Sequence, residues 1–149
     1  MISNPKYGWC DFKLGNRFSG RASCLTDVPM DLLDAFIDFH ENGHGVVVFD
    51  SEGEGTFTLV MTAYYPNIYI IEERKERTIH FLDDFRFEDL ERDLILDIER
   101  DMDGWVEFMV VGDEEEEELA QRRSELEQKL TKLKEFRNWE KIVSQLKEA

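Results

Sequence analysis

The sequence predicts an α+β domain: an antiparallel β-sheet, made of a hairpin and a meander, with helices packed on one face. Two observations support this prediction. Up to about residue 82 most segments alternate apolar and polar residues between glycine-containing turns, whereas beyond residue 87 apolar residues recur every three or four positions. The chain has 149 residues, 42% of them hydrophobic, which suits one domain with a substantial core. The last two helices are predicted to form an antiparallel hairpin.

The first hairpin is predicted to join residues 9–14 to residues 21–25 across a stretch rich in turn-forming residues. With the turn centred on Arg17, Cys10 lies opposite Cys24, and the apolar residues of both strands share one face. Both cysteines are therefore expected in the core. We expect them to be free thiols, as in a reducing compartment.

Two aromatic residues at the start of this hairpin are candidates for contact with a partner. Alternation along the strand places Trp9 on the outer face, close to Tyr7 in the sequence. Exposed aromatic side chains supply much of the binding energy in protein interfaces. The alternative is that the C-terminal helix covers Trp9.

A helix is predicted between a start signal at Pro29 and an end signal at Gly43. The meander that follows is predicted from four apolar segments, at residues 46–50, 56–63, 68–73 and 78–82. Pairing of the first two about Gly53 sets Phe49 opposite Phe57, with both side chains on one face of the sheet.

From Phe87 an amphipathic helix is predicted to run to about Val110, with Gly104 as a weak point. We predict a domain of residues 1–112, followed by a charged helix of residues 113–149 that packs back on the domain or mediates self-association. The apolar stripe of this last helix is the candidate contact of a homodimer, and it consists of Leu126, Leu130, Leu133 and Phe136.

The charge of the chain is strongly uneven. Residues 83–118 hold 17 acidic residues against 3 Arg, a balance of −14 within a total of −16, whereas residues 119–149 hold 5 acidic residues against 8 basic ones. Such a protein repels nucleic acids and anionic membranes and attracts basic surfaces, so we predict neither a nucleic-acid nor a membrane partner. No secretion signal or apolar segment of membrane-spanning length is seen, and the predicted location is the cytoplasm.

Four aspartates at intervals of four residues lie on one side of the predicted acidic helix. These are Asp89, Asp93, Asp97 and Asp101, and we call them the Asp ladder. Like charges at this spacing destabilise a helix by a few tenths of a kcal/mol each, so folding alone does not favour them. The ladder is either a surface for a basic partner, or a solvated face that the basic C-terminal helix partly neutralises.

No metal site, cofactor or catalytic centre is predicted. Two acidic stretches match the first positions of a calcium-binding loop, but they place Val110 and Met61 where that loop needs a glutamate. His40 and His44 are four residues apart, yet Gly43 ends the helix between them, so both are expected to be exposed residues at a helix end. No nucleophile or phosphate-binding motif occurs.

The leading hypothesis is a non-enzymatic, acidic protein-binding module of the immunity or inhibitor type. It would engage a basic protein through the acidic helix, with the Asp ladder steering the partner and exposed aromatic residues as anchors. The alternative is a structural or scaffold protein that self-associates through its C-terminal helix.

Overall fold

The computed structural model of the chain describes residues 1–64, 67–109 and 116–148. The predicted domain boundary at 112–113 and the predicted helix end at Val110 lie outside these ranges. The described elements, in chain order, are β1 (Ile2–Lys6), β2 (Trp9–Leu14), β3 (Phe18–Ser23), α1 (Val28–Asn42), β4 (His44–Asp50), β5 (Thr56–Thr62), β6 (Ile68–Glu73), β7 (Arg77–Phe81), α2 (Phe87–Arg100), α3 (Met102–Glu107) and α4 (Glu116–Glu148). The predicted α+β class is confirmed.

The strands form two antiparallel sheets, of order β1-β2-β3 and β4-β5-β6-β7. The two sheets contact each other through aromatic side chains: the ring of Phe12 in β2 lies 4.8 Å from that of Phe49 in β4 and 5.4 Å from that of Phe57 in β5. The sequence did not predict β1. This edge strand has one buried residue, Ile2, and contains Pro5, so it lacks the alternation that marks a strand.

The predicted register of the β2–β3 hairpin is wrong by two residues. Cys10 lies opposite Ala22, not opposite Cys24, because the turn closes more tightly: the backbone N–H of Arg17 donates to the carbonyl of Leu14 at 3.0 Å. A shift of two residues keeps every side chain on its predicted face. Cys10 is buried as expected, Cys24 is only partly buried, and both are free thiols.

Helix α1 has the predicted ends. Proline occupies its first turn, and Gly43 adopts a left-handed conformation (φ 83°) from which its N–H donates to the carbonyl of Phe39 at 2.9 Å. Two residues later, Gly45 lets α1 approach β4 closely, since a Cβ at that position would lie 2.2 Å from the carbonyl oxygen of Ala35. This contact fixes α1 against the inner face of the four-stranded sheet.

The meander has the predicted strands, and the register of its first hairpin is confirmed: Phe49 pairs with Phe57. The predicted acidic helix, however, is interrupted. Asp101 leaves the helical conformation (φ −138°, ψ 51°), ends α2 and caps α3 by accepting a hydrogen bond from the N–H of Gly104 at 3.2 Å. Gly104 serves close packing, because a Cβ there would lie 2.7 Å from the side chain of Pro5 in β1.

The long helix α4 packs back on the rest of the chain. It runs antiparallel to α2 and α3, since its residues 123, 134 and 137 form ion pairs with residues 103, 99 and 91 in that order. This arrangement is the predicted antiparallel helix hairpin. Along α1 the direction is parallel, as Arg122 pairs with Asp27 and Lys129 with Asp34.

The buried apolar residues of both sheets and of all four described helices form one continuous core. Leu126, Leu130 and Leu133 belong to it, and Phe136 packs against it. Most of the stripe predicted for self-association therefore contacts the chain's own interior. None of the helices in the described part of the chain is both long enough and apolar enough to cross a membrane.

Candidate functional site

Two members of the Asp ladder lie on the outward side of α2. The side chains of Asp89 and Asp93 are half exposed, and they flank the guanidinium of Arg92 at 3.4 and 3.6 Å. Ion pairs as exposed as these contribute at most about 1 kcal/mol, so both carboxylates can exchange Arg92 for another cation at little cost.

Asp97 has a different environment. Its side chain is only 12% exposed, and its Oδ2 accepts hydrogen bonds from the amino group of Met1 at 2.6 Å and from the backbone N–H of Ile2 at 3.1 Å. Its Oδ1 also contacts Arg100 at 3.2 Å. Asp97 thus holds the start of β1 against α2, and its carboxylate already has its partners within the chain.

Asp101 is exposed, at the junction of α2 and α3, and caps α3. The ladder therefore consists of three exposed aspartates and one structural one. Leu96 lies among the exposed members, half exposed on the same side of α2. Sequence reasoning missed it because its position is off the apolar stripe. We call the surface formed by Asp89, Arg92, Asp93, Leu96 and Asp101 the α2 face.

The basic residues of α4 do not neutralise the Asp ladder. Each of the six cations from residue 122 to residue 137 has an acidic partner elsewhere, and these ion pairs are Arg122–Asp27, Arg123–Asp103, Lys129–Asp34, Lys132–Glu41, Lys134–Glu99 and Arg137–Glu91. Within the part of the chain that the structure describes, none of these six pairs with a ladder residue. The α2 face consequently stays open, with Arg92 as its one cation, and the nearby Arg100 pairs with Asp97.

Tyr7 lies in the turn between β1 and β2, and Trp9 begins β2. Strand β1, which leads to this turn, contacts α2 through Ile2 and α3 through Pro5. Tyr7 is 89% exposed, whereas Trp9 is partly buried beneath the guanidinium of Arg21, 4.8 Å from the ring centre. Asp89 and Asp101 mark the two ends of the α2 face. They are twelve residues apart, which corresponds to about 18 Å along a helix axis.

A second group of charged residues is buried where α1, α2 and α4 meet. The expectation that His40 is exposed is wrong: its side chain is 4% exposed, with Nε2 at 2.5 Å from Oε2 of Glu91 and Nδ1 at 3.0 Å from Oε1 of Glu140. The imidazole stacks on Phe136, with ring centres 4.6 Å apart. Arg137 also reaches Glu91, at 3.1 Å. His44 is exposed, as expected.

This group of charged residues links the three helices through His40. Burial alone lowers the pKa of His40, but the hydrogen bonds and negative charges of Glu91 and Glu140 outweigh it, and the pKa is raised above its ordinary value. In the protonated form both ring nitrogens donate, one to each carboxylate. The arrangement stabilises an imidazolium between three helices and leaves no ring nitrogen free to act as a base.

Metal ligation is not supported within the described ranges, which contain no group of three or more His, Cys, Asp or Glu side chains placed to hold an ion. His80 contacts Glu72 at 3.4 Å and the ring of Phe18 at 5.2 Å.

Burial, together with the charge of Asp11, raises the pKa of the Cys10 thiol to about 12, so this buried thiol is a poor nucleophile at neutral pH.

Comparisons of the chain with protein-family models, with curated protein sequences and with solved structures find no match.

Proposed function

We propose that this protein is a non-enzymatic binding module that engages a basic protein partner through the α2 face, in the manner of small acidic immunity or inhibitor proteins. One observation carries the proposal: the six cations of α4 between residues 122 and 137 all pair with acidic residues outside the Asp ladder, so Asp89, Asp93 and Asp101 remain available to a partner. The net charge of −16 supports it further.

Recognition would proceed in two steps. The negative field of the chain raises the encounter rate with a basic protein, most strongly at low salt. Arginine or lysine side chains of the partner then pair with Asp89 and Asp93, which at present share Arg92. Leu96 supplies an apolar contact between these charges, and Tyr7, in the turn after β1, supplies an aromatic one.

A cytoplasmic location belongs to the same proposal. It is supported by the two free cysteines, of which one is buried, since structural disulfides are rare in reducing compartments.

A capture experiment with matched variants tests the proposal. The variant D89N/D93N/D101N removes three charges from the α2 face, and the asparagine at 101 still caps α3. The control E52Q/E54Q/E76Q removes three charges from exposed positions in the loops of the four-stranded sheet. We expect wild type and control to retain the same basic proteins from a native lysate, and the α2-face variant to lose them. Equal recovery by both variants at low and at high salt would refute this function.

Self-association through α4, the alternative function, needs a surface other than the predicted stripe. Leu126, Leu130 and Leu133 are buried in the chain's own core, but α4 continues beyond them to Glu148.

A further inference from the structure

The outer face of the four-stranded sheet carries two apolar side chains on each of β4, β6 and β7, while β5, between β4 and β6, contributes the buried Val60 and the polar Thr58. The register aligns two rows of outward side chains, one from Val46 through Tyr69 to Phe81 and one from Val48 through Ile71 to Ile79. On the edge strands β4 and β7 these residues are about half exposed. We call these six residues the sheet patch.

Such a face is unusual for an antiparallel sheet, whose solvent side normally carries polar residues. Single exposed apolar side chains need no explanation, but a contiguous patch marks an interaction surface. When each of the four strands is counted as about 4.8 Å wide and each of the two rows as about 7 Å wide, the patch covers roughly 270 Å². That area accommodates one helix, not the whole face of a second subunit.

A helix of matching character is present in the same chain. On either side of Glu140, which contacts His40, the end of α4 carries three exposed apolar residues on one side, Trp139, Ile142 and Leu146, which we call the tail stripe. Trp139 is 64% exposed. The stripe is about 10 Å long, and the sheet patch is about 14 Å across its four strands, so the two surfaces fit in length.

The charges around the two surfaces are also complementary. Residues 137–148 hold three basic residues and two acidic ones, a balance of +1, whereas residues 44–84 hold three basic residues and eight acidic ones, a balance of −5. The tail stripe is thus carried by a basic segment, and the sheet patch lies in an acidic region.

The stripe of one chain does not lie over its own patch. Helix α4 packs on α1, which lies against the inner face of the same sheet through the close contact of Ala35 with Gly45. The sheet therefore separates the two surfaces, and the occupant of the patch has to come from another molecule.

We propose that two copies of the chain associate reciprocally, the tail stripe of each docking on the sheet patch of the other. Two such contacts form a closed, twofold-symmetric dimer and bury about 1,100 Å² in total, near the low end of specific interfaces. A single contact buries half of that, so reciprocity is what makes the dimer stable. Because each copy carries a net charge of −16, the dimer strengthens as salt screens the repulsion.

Sedimentation of the full chain over a wide range of protein concentrations tests the dimer. We expect wild type to dimerise, more tightly at high salt, and the patch variant I79S/F81S and the stripe variant W139S/L146S to be monomers with wild-type circular dichroism. The control L25S/L96S, which changes two exposed apolar residues outside both surfaces, should dimerise like wild type. D89N/D93N/D101N should also dimerise, so failure of this dimer and failure of the proposed function are separable. A wild type that is monomeric throughout, or a patch variant that still dimerises, overturns the proposal.

Photo-cross-linking identifies the contact itself. With benzoylphenylalanine in place of Trp139, and isotope-labelled and unlabelled chains mixed, we expect cross-links between copies that map to β4, β6 or β7. Cross-links from position 139 to α4 of the other copy would instead show a helix-to-helix dimer and overturn the stripe-on-patch arrangement.

Discussion

His40 on α1 and Glu91 on α2 are joined by a contact of 2.5 Å between Nε2 and Oε2, with side chains that are only 4% and 1% exposed. Glu140 and Arg137 complete the group from α4. Burying a carboxylate costs free energy unless the carboxylate is paired, and the Glu91 carboxylate is paired with both His40 and Arg137. The group therefore fixes where α4 lies and where its exposed end begins.

The stability that His40 confers should depend on pH. Its pKa is raised in the folded chain, so its contribution is fully present below the ordinary histidine pKa of about 6.5 and is lost as the pH rises through the folded value. We expect H40Q to be about 2 kcal/mol less stable than wild type near pH 6, and the difference to shrink toward pH 9. Urea unfolding of both proteins across this range measures it.

The facing charged groups, Glu91, Glu140 and Arg137, are the same in wild type and H40Q, so the difference between the two proteins isolates the imidazole. H44Q is the matched control, because His44 is exposed at the start of β4. Its stability should follow that of wild type at every pH. A wild-type advantage over H40Q that grows with pH would contradict the assigned hydrogen bonds.

Two substitutions of Glu91 should distinguish how much its charge and how much its size contribute to stability. E91L leaves His40 and Arg137 without their buried partner, and we expect a loss of about 3 kcal/mol in the free energy of unfolding. E91Q keeps a polar side chain of the same size and should lose less. Chemical denaturation compares them, with E88Q, an exposed position, as the control. Equal effects of E91L and E88Q would show that the buried pair contributes nothing.

The members of the Asp ladder should differ in their effect on stability. D97N weakens the anchor of Met1 and Ile2, and we expect it to cost about 2 kcal/mol and to increase hydrogen exchange in β1. D93N, one turn earlier and exposed, should change stability by less than about 0.5 kcal/mol. Thermal unfolding and amide exchange measure both effects, and a D93N variant as destabilised as D97N contradicts the division of the ladder.

Two adjacent arginines of α4 should likewise behave differently. Arg122 is largely buried, donates to both carboxylate oxygens of Asp27 at 2.6 and 2.8 Å, and also reaches the carbonyls of Trp105 and Val106. R122A should destabilise the chain by about 3 kcal/mol and loosen α4. R123A removes only an exposed pair with Asp103 and should have little effect. Denaturation with tryptophan fluorescence, to which the buried Trp105 contributes, compares them.

The elements that the sequence predicted well are those whose signal is local. Proline and glycine set the ends of α1, and two phenylalanines on one face set the register of β4 and β5. The register of β2 and β3 was less determined, because any shift by two residues keeps Cys10 on the same face. Strand β1 lacks the alternation of apolar and polar residues, so its sequence does not mark it as a strand.

The candidate site was predicted only in part, for a similar reason. Helical spacing places the Asp ladder on one side of α2 but does not say what packs there, and Asp97 meets the amino group of Met1, 96 residues away in the chain. The contact of His40 with Glu91 joins residues 51 positions apart and exists only once three helices have packed. Neither contact leaves a local sequence pattern.

Carbodiimide cross-linking of the captured complex tests most directly whether a basic partner contacts the α2 face, because this reagent joins carboxylates to lysines without a spacer. We predict cross-linked peptides that contain Asp89, Asp93 or Asp101, and their loss in D89N/D93N/D101N. Cross-links that come only from Glu52, Glu54 or Glu76 would contradict a contact at the α2 face.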